Sequence, residues 1–148
     1  MSREISRRRF LSQSAAAAAA VALGSKSFAQ GRNLPPAEIL LTAAPGSVQI
    51  LPGDPTPINR FTAKETTPAR GIVGRPGDSF LGPTIRVQKG QRLRVLFVNN
   101  LDNKSIVHWH GLDVPEASDG HPRFAVDPGE TFWYDFTVIN RAGTYWYH

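Results

Sequence analysis

The chain of 148 residues contains no cysteine. Disulfides are therefore excluded, and an exported domain built from it must rest on a hydrophobic core alone. Thiolate-dependent centres are excluded with them, including the blue-copper electron-transfer geometry, which requires a cysteine ligand. Long apolar runs are missing too. The apolar stretch at residues 15–23 is alanine-rich and falls short of the roughly 20 residues that span a bilayer. Beyond it no helical period appears. Histidine is scarce, with four in the whole sequence.

What is present begins with an export signature. Ser6-Arg7-Arg8-Arg9-Phe10-Leu11 is a twin-arginine pattern, followed by the alanine-rich stretch and by Ser27-Phe28-Ala29, a small-x-small cleavage site. Residues 1–29 are thus expected to be a signal peptide, leaving no membrane anchor after cleavage and a periplasmic or secreted domain over residues 30–148. The signal holds Arg3, Arg7, Arg8, Arg9 and Lys26 against Glu4, four of the five net positive charges of the chain. The remainder is near +1 and carries no basic patch, so nucleic acid is not an expected partner.

The mature part reads as short strands. Apolar runs at residues 38–42 and 47–51 flank Ala43-Ala44-Pro45-Gly46, read as a turn. A strand is expected near residues 58–63, and another at residues 84–88 before the Lys89-Gly90 turn. The clearest alternation spans residues 91–99. Leu93, Val95 and Phe97 share one face, while the other begins with Arg92 and Arg94 and turns apolar at Leu96 and Val98. The two arginines read as a solvated face. Residues 105–110 form a further strand, then a proline-bearing loop covers residues 111–129. Residues 131–138 alternate with Phe132, Tyr134, Phe136 and Val138 on one face, and Trp133 reads as sheet packing. In the last strand Thr144, Trp146 and His148 share a side. Many short strands with closely spaced turns predict an all-β sandwich or barrel.

Three of the four histidines sit in these strands: His108 and His110 in His108-Trp109-His110-Gly111, and His148 after Trp146-Tyr147. Neutral imidazole is a common ligand for copper and zinc. Histidines at i and i+2 of a strand point the same way with Cα atoms roughly 6.5 Å apart. That is wide for one ion and suits two neighbouring ions, one histidine each. Read alone, the pair is equally a satisfied polar pair on a sheet surface.

Four segments in order bear on that choice: Gly82-Pro83-Thr84-Ile85-Arg86, Val98-Asn99-Asn100-Leu101, His108-Trp109-His110-Gly111-Leu112 and Gly143-Thr144-Tyr145-Trp146-Tyr147-His148. Together they resemble the multicopper oxidases, laccases and bacterial cuprous oxidases among them, most clearly over residues 80–148. The chain looks like their N-terminal cupredoxin domain, a Greek-key β-sandwich, here truncated and C-terminally incomplete.

The resemblance implies a copper cofactor, a type 2/type 3 trinuclear cluster of which this chain supplies part of the ligand set. His108 takes the type 2 role, and His110 and His148 bind one type 3 copper. Asp119 matches a position associated with proton supply to oxygen. His121, in a segment that departs from the family pattern, reads as a loop histidine. In the complete enzyme the partners are O2 and a reducing substrate, oxidised one electron at a time as O2 is reduced to water. Lacking a type 1 site, the isolated chain is expected to bind copper weakly and to have no oxidase activity. The alternative is a stand-alone periplasmic copper-binding protein.

Overall fold

The structure, a computed structural model, describes residues 34–66, 71–74 and 80–148. The expected signal, residues 1–29, lies outside the described residues. The strands are β1 (Ala37–Val48), β2 (Thr56–Glu65), β3 (Arg92–Asn99), β4 (Trp109–His110), β5 (Thr131–Thr137) and β6 (Trp146–Tyr147). Four of them form a sheet in the order β2-β1-β3-β5; β4 and β6 form a second, two-stranded sheet. β1 runs parallel to β3, and the remaining pairs are antiparallel.

Register turns the alternation into a core. Residues paired across strands share a face, so Ile39, Val95 and Tyr134 form one buried row and Ala37, Leu93 and Phe136 another. Each large apolar side chain removed from water in these rows contributes about 1.5–3 kcal/mol. The second sheet closes over this face. Trp109 packs edge-on against Tyr134 and Phe136, with centroids at 5.7 and 5.4 Å, and Tyr147 lies against Phe61 at 5.5 Å. The Val107 N–H donates to the buried Tyr134 hydroxyl at 2.8 Å, joining the two layers by a polar contact. The result is an all-β, cupredoxin-like Greek-key sandwich.

Asn99 pins the end of β3. Fully buried, it donates from Nδ2 to the carbonyls of Asn103 and Val126, both at 2.9 Å, and accepts the Leu101 N–H on Oδ1 at 3.1 Å. Asn99 is thus the anchor of the loop that follows β3.

Several local expectations are corrected. Ala43-Ala44-Pro45-Gly46 is no turn: β1 runs straight through it and ends at Val48, short of the expected residue 51. Proline is tolerated there because β3 pairs with β1 only as far as Ala43, so Pro45 has a strand on one side alone. Residues 84–88 make a single bridge, Val73 to Ile85, because Pro83 and the Lys89-Gly90 turn bound the segment closely. Residues 105–110 are strand only at Trp109–His110. Ser105 bridges to Val126 in the loop and Val107 turns to Tyr134 instead of a ladder.

Arg92 and Arg94 are ion-paired, not simply solvated. The register sets Glu38, Arg94 and Asp135 side by side on the outer face. Arg92 makes a two-pronged contact to Asp135 at 2.6 and 2.7 Å, and Arg94 pairs with Glu38 while its guanidinium lies 4.8 Å over Trp133. The Arg92 hydrogen bond holds the Asp135 carboxyl below its usual range.

Candidate metal centre

Alternation in β4 and β6 turns Trp109 and Tyr147 inward and the histidines, with Trp146, outward. Val107 and Trp109 are buried, while His108 is half-buried and His110 and His148 are exposed. A slip of one residue would drive histidines into the core and Trp109 into water, so the aromatic face fixes the register. At the end of the ladder, the His108 N–H donates to the His148 carbonyl at 2.8 Å and the His148 N–H returns to His108 at 3.1 Å. Asn140 holds the flanking loops, accepting the Asp113 N–H at 3.0 Å and donating to the Gly111 carbonyl at 3.2 Å.

The first motif supports the last. The Tyr147 hydroxyl donates to the Pro83 carbonyl at 2.6 Å, and burial pushes that hydroxyl up to about 12, keeping it a neutral donor. Gly82 makes the approach possible. A Cβ there would lie 2.8 Å from the Tyr147 oxygen and 3.3 Å from Phe61.

Three imidazoles converge on the outer side. One ligand atom from each of His108, His110 and His148 lies within 4.8 Å of the others. The ring centroids form a near-equilateral triangle, with sides of 5.4, 5.3 and 5.6 Å. His110 Nδ1 and His148 Nε2 are 3.4 Å apart. Two nitrogens bound at 2.0–2.1 Å to one tetrahedral ion stand about 3.3 Å apart, so this pair has the bite of a single-ion chelate. The i, i+2 pair, His108 and His110, keeps its ring centroids 5.4 Å apart, and the close pair is formed across the two strands.

The tautomer of His108 follows from its partner. Nδ1 lies 2.6 Å from the Asp119 carbonyl, which can only accept, so Nδ1 carries the proton and Nε2 keeps its lone pair for a metal. The Asp119 carboxylate is 3.4 Å from the same nitrogen and half exposed. Gly120, at φ +80°, brings this turn onto the segment leading into β4: a Cβ would lie 2.5 Å from the Val107 carbonyl oxygen. The short 3-10 turn Glu116–Ser118 leads into it, with the Asp119 N–H bonded to Glu116 at 3.2 Å.

The remaining sequence candidates fall into place around this triangle. His121 stands apart, capping the 3-10 turn Pro122–Phe124 by accepting the Arg123 N–H at 3.2 Å. Trp146, read from sequence only as sharing a side with His148, lies against both exposed imidazoles, at 4.6 Å from His110 and 4.5 Å from His148. Neutral nitrogen donors without a thiolate fit imidazole-bound copper.

Comparison with known sequences gives the arrangement its family. The sequence family described as multicopper oxidase matches residues 62–148, more than half of the chain. The chain belongs to the multicopper oxidase family. A multicopper oxidase of Staphylococcus aureus is 40% identical over 70 residues, covering 47% of this chain and 16% of the relative. The L-ascorbate oxidase of Cucurbita maxima is 45% identical over 84 residues, 52% of this chain and 14% of the enzyme. Among solved structures, the McoA multicopper oxidase of Aquifex aeolicus superimposes with a TM-score of 0.59 at 36% identity, over 78% of this chain and 23% of that one. The chain thus spans about a sixth of the length of these curated relatives.

Proposed function

We propose that residues 30–148 are the N-terminal copper-holding domain of a multicopper oxidase, exported by the twin-arginine pathway, that couples one-electron oxidation of a reducing substrate to reduction of O2 to water. The observation that carries this reading is the convergence of His108, His110 and His148 within 4.8 Å in a chain of this family. His108 is assigned to a type 2 copper, and His110 and His148 to one type 3 copper. Copper bound there supplies the electron acceptance and oxygen binding of the cluster.

The protein's own groups do the rest. The His108–His148 backbone pair fixes where the ligands start, and the Asp119 carbonyl fixes which nitrogen of His108 is free. The Asp119 carboxylate, half exposed and beside that ring, is assigned to proton supply, since reduction of O2 to water consumes four protons. Trp109 and Tyr134 seal the inner side against water.

A second reading rests on the absence of cysteine. With no blue-copper ligand, the chain by itself is a copper-binding module without an electron entry point. Both readings predict copper binding; they part over the gene. Sequence downstream of codon 148 should encode further histidines and a cysteine in an oxidase, and a stop codon in a stand-alone binding protein. The purified 148-residue chain should bind copper weakly and consume no oxygen with a phenolic or cuprous substrate. Sustained oxygen consumption would overturn the ligand accounting, and failure to bind copper would overturn both readings.

A further inference from the structure

Trp146 is 59% exposed, an unusual place for an indole that is not holding the core together. Its neighbours explain it. It is the cross-strand partner of His110 and the i−2 neighbour of His148, so strand geometry puts all three on one face. Its ring is tilted by only 33° and 32° from the two imidazoles, at 4.6 and 4.5 Å. The indole thus packs, tilted, against both rings of the 3.4 Å pair.

The three histidines differ in what orients them. His108 has a hydrogen bond from Nδ1 to the Asp119 carbonyl. Among the described residues, His110 and His148 have no such tether, only each other, and both are exposed. Backbone pairing fixes their Cβ positions and leaves the ring torsions free. A flat face against both rings removes that freedom without occupying a ring nitrogen, which a hydrogen-bonding neighbour would do.

We propose that Trp146 is a positioning residue that sets the bite of the His110–His148 pair for one metal ion. The inference rests on the reading that these histidines hold copper, and it goes beyond that reading by assigning the orienting role to a residue that is itself no ligand. Residues that orient a metal ligand typically change metal affinity by about 10–100-fold when removed.

The test is a cupric ion titration of the full chain against a competing chelator, with the EPR spectrum of the bound ion recorded alongside. Trp146→Ala and Trp146→Leu should both weaken binding by about tenfold or more and alter the EPR parameters. The thermal midpoint of the metal-free chain should stay near that of the wild type. Trp146→Phe, which keeps a flat ring, should recover affinity to within about threefold of wild type. If Trp146→Ala binds as tightly as wild type with the same spectrum, the positioning role is wrong while the copper site stands. If Trp146→Leu behaves like Trp146→Phe, apolar bulk and not a flat ring is responsible, and the proposal fails. If the wild type binds no copper, the site reading and the proposal fall together.

Discussion

Tyr147 and Pro83 are 64 residues apart in sequence and joined by a 2.6 Å hydrogen bond, hydroxyl to carbonyl. Through it the glycine-proline segment that precedes β3 supports the residue between Trp146 and His148. Tyr147→Phe leaves that part-buried carbonyl without its donor, a loss of about 1–3 kcal/mol. Urea denaturation should show that loss, and copper affinity should fall because His148 is the next residue. Unchanged stability would mean that the contact is not formed in solution.

Gly120→Ala meets two obstacles at once. The position has φ +80°, and the new Cβ would lie 2.5 Å from the Val107 carbonyl oxygen. The expected destabilisation is about 2 kcal/mol or more. Because the Asp119 carbonyl moves with the turn, the variant should also bind copper more weakly at equal folded fraction, measured by chelator competition.

Asp119 acts on His108 through its backbone carbonyl, at 2.6 Å, more closely than through its carboxylate at 3.4 Å. Asp119→Asn should therefore leave copper affinity of the isolated chain within about threefold of wild type. In a complete oxidase the same change should slow oxygen reduction, read as turnover at saturating substrate. A large loss of copper affinity would instead make the carboxylate a ligand or its direct support.

Asp135 carries a pH signature. Its carboxyl is held below the ordinary 3.8 first by the Arg92 hydrogen bond, then against a smaller opposing effect of burial. A depressed carboxylate stabilises the fold above its unfolded value, and the contribution is lost as pH falls through the lowered folded value. Wild type should therefore exceed Asp135→Asn in stability near neutrality, with the gap closing as pH drops from about 5 to 2 in urea titrations. Added salt should narrow it at neutral pH, since the pair is exposed.

Legibility followed the physics of each segment. β3 and β5 could be read closely because a large apolar residue at every second position marks one buried face. β1 was misread at Pro45-Gly46, since the signal for a turn is local and the tolerance for proline depends on which neighbour ends first. β4 and β6 are two residues each. Their order comes from aromatic packing and the His108–His148 pair, which no periodicity reports. The three histidines stood out by scarcity and by their shared side. Asn99, the Pro83 carbonyl and Trp146 did not, because their roles arise from partners distant in sequence or across a ladder.

The most direct test of the copper site is to titrate cupric ion into the wild-type chain and into His108→Ala, His110→Ala, His148→Ala and His121→Ala variants, following the EPR spectrum. The account predicts imidazole nitrogen couplings in the wild type, a marked loss of affinity in each of the first three, and no change in His121→Ala. Copper bound equally well without His110 and His148, or a loss on removing His121, would contradict it.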